Sequence, residues 1–349
     1  MEIPEYNHLE EYSGEARMRI AFFEIHDGEI PFLRERLAGH EMSFHPEKLH
    51  ESDLARFQDV EAVSVFIYSR LDARVLESLP RLRFVATRST GVDHVDCTTC
   101  RGRGIEVANV PSYGEYTVAE HTFALILSLS RHLHKSYVRV TKGNFSREGL
   151  TGFDLKGKTL GVIGAGRIGL HVIKIARGFG MEVLATDTRQ DAFVAELMGF
   201  RYVPVEYLLA HSDIITLHMP DTPATHHFLN SERLALVRRG ALLINTARGG
   251  LVDTEALLQA LESGVLAGAG LDVLEGEQYI AEEQEMLRAG QPVEVLQQIV
   301  RDQILLRREN VVFTPHNAFN SREALLRILE TTAENIRGFA EGAPHNLVS

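Results

Sequence analysis

The sequence predicts an α/β fold made of two parallel-sheet domains, one inserted into the other. Three observations carry that expectation. Short apolar runs alternate with helix-type stretches from Met18 onward, and such alternation implies parallel strands joined by crossover helices. The run Leu160–Ile163 ends in Gly164-Ala165-Gly166-Arg167-Ile168-Gly169, and helix-type residues follow from Leu170 to Ala176. This Gly-x-Gly-x-x-Gly turn stands in mid-chain, whereas a nucleotide-binding domain usually begins with it. At 349 residues the chain is long for one core and suits two domains.

In chain order, residues 1–17 are polar and acidic and read as a loose tail. Arg19–Phe23 reads as a strand and Ile30–Leu37 as a helix. Ala62–Tyr68 reads as a strand, Val75–Ser78 as helical, and Phe84–Thr87 and Ile105–Asn109 as strands. Thr117–Lys135 has one long helical pattern, with Glu120 and His121 near its start. Strands are then expected at Leu160–Ile163, Glu182–Thr186, Ile214–Leu217, Ala241–Asn245, Gly268–Asp272 and Val311–Thr314. The charged, Gln-rich segment Tyr279–Glu309 reads as a helical surface insertion, its Glu282-Glu283-Gln284-Glu285 run a solvated face. Arg322–Phe339 reads as a closing helix that returns to the first domain. Both domains are expected to be Rossmann-like or flavodoxin-like. The boundaries are placed at 18–115 with 317–349 for a discontinuous outer domain, and at 116–316 for the inserted one. No repeat of solenoid length is present.

Charge and composition narrow the function. The net charge of −12, with no basic stretch, argues against nucleic acid and weakly against anionic membranes. The longest strongly apolar run, Thr122–Leu129, is far too short to span a bilayer. No basic-then-apolar leader precedes the first strand. Cys97 and Cys100 are the only cysteines. Their C-x-x-C spacing lacks a second pair to complete a zinc site, so an ordinary helix end is the preferred reading and no metal is expected. Few cysteines fit a reducing cytoplasm.

The glycine turn has a definite chemistry. Gly164 permits the tight strand-to-helix turn, Gly166 lets backbone approach a pyrophosphate, and Gly169 lets helix pack on strand. The open N–H groups at the helix start then hold phosphate. Asp187, 18 residues after Gly169, ends the next apolar run. A carboxylate there accepts from adenosine ribose hydroxyls and favours NAD over NADP, with Arg189 as a mild counter-signal. Three further polar residues follow strands: Arg248 before Gly249-Gly250, Glu277 after Gly270–Gly276, and His316 after Val311–Pro315. Singly, each has an ordinary alternative: a loop cap for Arg248, a surface acid for Glu277 and a turn residue for His316. Together, after a dinucleotide turn, they suit hydride transfer, because strand C-termini are where open α/β sheets bind ligands.

At these residues the chain resembles the D-isomer-specific 2-hydroxyacid dehydrogenase family. The matching blocks are Gly161–Gly169, His218-Met219-Pro220, Asn245–Gly250, Gly270–Val273 and Thr314-Pro315-His316, and the likeness spans roughly residues 18 to 340. Within the family it is nearest to the D-lactate dehydrogenases, on Thr87–His94, Asn109–Tyr113, Val118–Thr122 and the long segment before Thr314. The resemblance implies NAD as cofactor, a small 2-oxoacid such as pyruvate as substrate, a homodimer in which the Thr117 helix takes part, and closure of two domains. It implies that Arg248 holds the substrate carboxylate, that His316 is the acid–base and that Glu277 orients it and favours the imidazolium. It places Thr90, Gly91, Tyr113, Tyr68 and Phe319 around the substrate, with core packing an open alternative for Tyr68 and Phe319. It places Gly164, Gly166, Arg167, Ile168, Gly169, Asp187, His218, Met219, Pro220, Thr225, Thr246, Ala247, Arg248 and Asp272 around the cofactor. One departure concerns Asn320, where lactate-type members carry tyrosine. The absence of a regulatory domain after Ser349 counts against the phosphoglycerate dehydrogenases that carry one. Two other readings stay open: a dehydrogenase for hydroxypyruvate, glyoxylate or an aryl-pyruvate, and an NAD-sensing corepressor-like protein.

Overall fold

The computed structural model describes residues 17–277 and 293–348. Residues 1–16 of the expected N-terminal tail and the Glu282–Glu285 run lie outside the described residues. In chain order the elements are β1 (Arg19–Phe23), α1 (Ile30–Arg36), β2 (Glu41–His45), β3 (Ala62–Val65), α2 (Ala73–Glu77), β4 (Phe84–Thr87), α3 (Cys97–Gly102) and β5 (Glu106–Ala108). There follow α4 (Glu115–Ser130), α5 (Leu133–Thr141), β6 (Thr159–Ile163), α6 (Arg167–Gly178), β7 (Glu182–Thr186), α7 (Ala192–Met198), β8 (Arg201–Tyr202), α8 (Val205–His211) and β9 (Ile214–Leu217). The last are α9 (Ser231–Leu234), β10 (Ala241–Asn245), α10 (Thr254–Glu262), β11 (Leu266–Leu271), α11 (Val293–Leu306), β12 (Val311–Phe313) and α12 (Arg322–Ala340).

The described chain divides into two compact units. One runs to Tyr113 and resumes at Arg322, and the other is Gly114–Ser321. The first holds a five-stranded parallel sheet in the order β2-β1-β3-β4-β5. Its strands are apolar on both faces. Ala21, Phe23, Val63, Val65 and Val85 face one core, and Ile20, Phe22, Ala62, Phe84 and Ala86 the other. Helix α12 covers the second face with Leu329, Ala333 and Ile336, and Phe339 stacks on Phe84 at 4.4 Å. The C-terminal helix therefore buries a face that the N-terminal part of the chain would leave wet.

The second unit holds a seven-stranded parallel sheet, β12-β11-β10-β9-β6-β7-β8. Strand order reverses between β6 and β9, the switch point at which doubly wound sheets bind nucleotides. Along β10, Leu242 and Ile244 join one core and Leu243 the other. Coverage of both faces explains why these strands read as unbroken apolar runs rather than alternations.

Several elements differ from the sequence reading, among them the two-residue strand β8, which it did not anticipate. The single helix expected over Thr117–Lys135 is two, α4 and α5, parted at His132, whose φ of 51° is left-handed. The returning chain takes up the helix end: Phe153 N–H donates to the Ser130 carbonyl at 2.9 Å, and Gly152 leaves no room for a Cβ beside that oxygen. The strand expected over Ala62–Tyr68 stops at Val65. The Glu24 carboxylate accepts the N–H groups of Ile67, Tyr68 and Ser69 at 2.8–3.0 Å, so these cannot serve a sheet ladder. Strand β2 carries no strong apolar signal because it is a half-exposed edge. Cys100 lies buried in α3, and burial pushes its thiol up to about 11, which leaves little thiolate for redox chemistry.

Helix α11 lies within the segment read as a surface insertion, yet it is anchored. Asp302 is fully buried, its Oδ1 accepts from Gln298 Nε2 at 3.0 Å, and burial pushes the carboxyl up to about 7. A carboxyl raised from 3.8 binds its proton more tightly in the folded state, so its contribution to stability is lost as pH rises through about 7. Asp302→Asn should abolish a decline of roughly 2–4 kcal/mol between about pH 4 and 8. Urea unfolding of both proteins at several pH values checks this, and parallel pH profiles for the two would refute it.

Candidate active site

The glycine turn occupies the switch point. Gly164 has φ +97°, and a Cβ there would press on the His218 carbonyl at the end of β9. At Gly169 a Cβ would collide with the Gly164 carbonyl, so glycine alone lets α6 sit this close to β6. Gly166 differs, because nothing lies within 4 Å of where its Cβ would be. It is the N-cap of α6, a 12-residue helix with no side-chain cap on its first N–H groups. That open, positively polarised end fits a pyrophosphate. Asp187 follows β7. One carboxylate oxygen accepts Ala165 N–H at 2.7 Å and the other Arg189 N–H at 2.8 Å. It thus supports the glycine turn while keeping lone pairs for ribose hydroxyls. His218 donates its backbone N–H to Ile163 O at 2.8 Å, and its Nε2 lies 2.9 Å from Thr216 Oγ1. Burial pushes its ring down to about 3, so it is neutral. Beyond it, Thr225 Oγ1 donates to Pro220 O at 2.7 Å and ties the Met219–Thr225 loop.

Arg248, Glu277 and His316 follow β10, β11 and β12, three strands adjacent in the sheet. Neighbouring strands lie about 4.8 Å apart, so the sheet itself gathers their C-terminal ends. His316 Nδ1 stands 2.7 Å from Glu277 Oε1. The ring is aimed by an unusual backbone. His316 has φ 49°, and its N–H lies within 2.9 Å of both the Asp272 and the Thr314 carbonyls.

Asp272 sets that loop. It is 1% exposed, and its carboxylate accepts from Thr314 Oγ1 at 2.5 Å, Asn317 N–H at 3.0 Å and Ala318 N–H at 2.9 Å. His121 of α4 adds a contact at 3.5 Å and meets Thr314 Oγ1 at 2.9 Å. The sequence reading placed Asp272 among cofactor contacts. In the fold its carboxylate serves the His316 loop.

The Arg248 loop is built the same way. Buried Asn245 accepts Ala247 N–H at 3.0 Å and donates to Arg248 O at 2.8 Å. A Cβ on Gly249 would collide with the Leu274 carbonyl, and one on Gly250 with the Asp221 carboxylate. Gly249 is therefore a packing requirement at this turn. Thr246 Oγ1 meets Thr122 Oγ1 of α4 at 3.0 Å, and Arg248 Nη1 donates to Ala247 O at 2.7 Å.

The remaining expected residues fall on both units. Arg167 is exposed on α6 with Glu115 at 3.8 Å, and Ile168 is half-buried. Phe319 is half-buried in the second unit. Thr90, Gly91, Tyr68 and Tyr113 belong to the first. Tyr68 is 49% exposed, so core packing does not account for it. Thr90 Oγ1 donates to Val110 O at 2.8 Å, which steadies the Thr90-Gly91 turn. Beneath that turn Arg88 is buried and donates to Ser64 Oγ at 2.9 Å and Glu24 O at 2.8 Å. Arg88, Asn245 and the coupling of His121 to Asp272 carried no role in the sequence reading. A buried arginine in a polar Thr-Arg-Ser-Thr run was the signal for the first.

Fold and site together define a dinucleotide-binding α/β oxidoreductase of the hydride-transfer kind. Residues 123–318 match the model of the D-isomer specific 2-hydroxyacid dehydrogenase NAD-binding domain. A 2-hydroxyacid dehydrogenase homolog of Schizosaccharomyces pombe is 38% identical over 331 residues, 93% of this chain and 96% of that protein. The D-lactate dehydrogenase of Escherichia coli is 36% identical over 317 residues, 89% of this chain and 93% of that one. The solved structure of Aquifex aeolicus D-lactate dehydrogenase with NAD and lactic acid superposes with a TM-score of 0.84 at 36% identity, covering 93% of this chain and 96% of that one. The chain belongs to the D-isomer-specific 2-hydroxyacid dehydrogenase family and is an NAD-dependent oxidoreductase acting on CH–OH groups. Among the described residues no helix is long and apolar enough to cross a membrane.

Asp272→Asn should cost about 1–3 kcal/mol, because the amide turns a donor toward a loop that offers Asp272 only donors. Urea unfolding measures the loss, and wild-type stability in the variant would show that the carboxylate does not hold the loop.

Proposed function

We propose that the protein reduces a small 2-oxoacid to the D-2-hydroxyacid, with pyruvate and D-lactate as the principal pair. The observation that carries this reading is the 2.7 Å contact between His316 Nδ1 and Glu277. It holds the proton on Nδ1 and directs Nε2, which makes no hydrogen bond among the described residues, to a substrate. Bound NADH supplies the hydride to the carbonyl carbon. His316 gives the carbonyl oxygen its proton from Nε2, and takes it back in the reverse direction. Glu277 offsets the charge on the ring. Arg248 grips the substrate carboxylate with two parallel hydrogen bonds and polarises the carbonyl oxygen. With His316 it stabilises negative charge on that oxygen as it develops.

The same reading gives Thr90 and Gly91 backbone N–H groups for the carboxylate and gives Tyr68, Tyr113 and Phe319 the substrate side chain. It gives Gly164, Gly166, Arg167, Ile168 and Gly169 the pyrophosphate, Asp187 the ribose, and His218, Met219, Pro220, Thr225, Thr246 and Ala247 the rest of the cofactor. We further propose a cytoplasmic homodimer. Free Cys97 and Cys100 fit a reducing compartment, and exposed Leu133, Tyr137, Val138 and Phe145 on and after α5 fit an interface between copies.

His316→Ala should lower kcat by roughly 10²–10⁴ with NADH affinity unchanged. Arg248→Ala should cost about 2–5 kcal/mol in kcat/KM for the oxoacid. Retained turnover in the first variant, or a loss of only NADH binding in the second, would remove these roles. Oxidation of NADH with a panel of 2-oxoacids checks the substrate. The highest kcat/KM is expected for pyruvate over hydroxypyruvate, glyoxylate and aryl-pyruvates. Tight NADH binding without turnover of any of them would favour a sensor, and a preference for NADPH would refute the role of Asp187.

A further inference from the structure

Outside the His316 site, the loop after β9 meets the loop after β11. His226 and His227 stack their rings at 4.2 Å and 21°, and Glu275, 48 residues beyond His227, comes up beside both. Glu275 Oε1 lies 2.7 Å from His227 Nε2 and 4.0 Å from His226 Nε2. One ligand atom from each of the three residues falls within 4.8 Å of the other two. We propose that His226, His227 and Glu275 bind a divalent transition-metal ion of the zinc class, at a site separate from the hydride-transfer residues.

The donor set selects the ion. Two imidazole nitrogens and one carboxylate oxygen suit zinc, cobalt or nickel, whereas magnesium and calcium ask for six or more oxygens. Ligands of one tetrahedral zinc, each about 2.0–2.2 Å from it, stand roughly 3.3 Å apart. The 2.7 and 4.0 Å separations bracket that value, and all three side chains are partly exposed and can turn. Three protein ligands leave the fourth position to water.

The surroundings are those of a metal site rather than of a bare surface ion pair. Asp221 Oδ1 lies 3.4 Å from His226 Nδ1 without a hydrogen bond formed between them, so a carboxylate stands beside the nitrogen that would face away from an ion on Nε2. Thr254 Oγ1 donates to Glu275 Oε2 at 3.2 Å and leaves Oε1 for the ion. Gln298 Nε2 of α11, which donates to Asp302, also lies 3.0 Å from Thr254 Oγ1 and 3.1 Å from Glu275 O, behind the acid loop. His227 is fixed by its N–H bond to Gly250 O at 2.7 Å and by a left-handed φ of 50°. An ion here joins the loop of Gly250, two residues after Arg248, to Glu275, two residues before Glu277. The C-x-x-C spacing was the metal signal considered in the sequence; these ligands come from two distant loops and leave none.

The test titrates Zn²⁺ alone into the metal-free full-length protein against a chromophoric chelator. The variants are His226→Ala, His227→Asn and Glu275→Gln. Asparagine at 227 suits the left-handed backbone, and the exposed His226 can be removed without unfolding. Wild type should bind one zinc tightly and each variant at least 10–100-fold more weakly. Zinc should raise Tm in the wild type alone, and affinity should fall toward acid pH, because the imidazoles must be neutral to bind. Co²⁺ should give the intense visible absorption of a tetrahedral site, lost in the variants, and Mg²⁺ should not compete. Equal zinc affinity in wild type and variants, or no binding at micromolar zinc, overturns the proposal. Neither result bears on His316, so the proposed reaction stands or falls separately.

Discussion

The buried carboxylate of Asp272 is the interaction on which the active-site geometry turns. It sits at the end of β11 and gathers the Thr314 hydroxyl and the N–H groups of Asn317 and Ala318. Those bonds compensate the cost of burying a charge, and they also force the turn that carries His316 into a left-handed conformation. From that turn the ring meets Glu277, whose segment leaves the same strand. Asp272 fixes the loop on the His316 side of that contact. His121 extends the arrangement to α4.

The parallel sheet supplies the rest. Because β10, β11 and β12 are adjacent, the segments that carry residues 248, 277 and 316 leave the sheet at one end, and Glu277 and His316 then meet at 2.7 Å. Close backbone approaches then refine the positions. Glycine at 164, 169 and 249 is required where a backbone carbonyl occupies the space of a Cβ. At Gly166 the reverse holds: the space is empty, and a phosphate can fill it.

Helix α11 changes character when seen in the fold. Its exposed residues include Val293, Val300 and Ile304. Its inner face carries Gln298 and buried Asp302 behind the Glu275 loop. The segment that looked like an appended insertion thus braces the strand end from which Glu277 emerges.

Sequence alone determined the class of fold and all strands of the nucleotide-binding unit but β8, and it singled out Arg248, Glu277 and His316 as the residues to watch. These are legible because they depend on local patterns: apolar runs, a glycine spacing and polar residues at strand ends. It misjudged what depends on contacts between distant segments. The helix over 117–135 breaks because residues 152 and 153 return to its end. The strand over 62–68 stops because Glu24 takes its N–H groups. The loop that the Asp272 carboxylate holds was not legible, because its three donors lie more than 40 residues away. The His226–His227–Glu275 cluster was invisible for the same reason. Tertiary structure alone decided these, since a hydrogen-bonding group is claimed by whichever partner the folded chain brings within reach, and the chain order does not state which that will be.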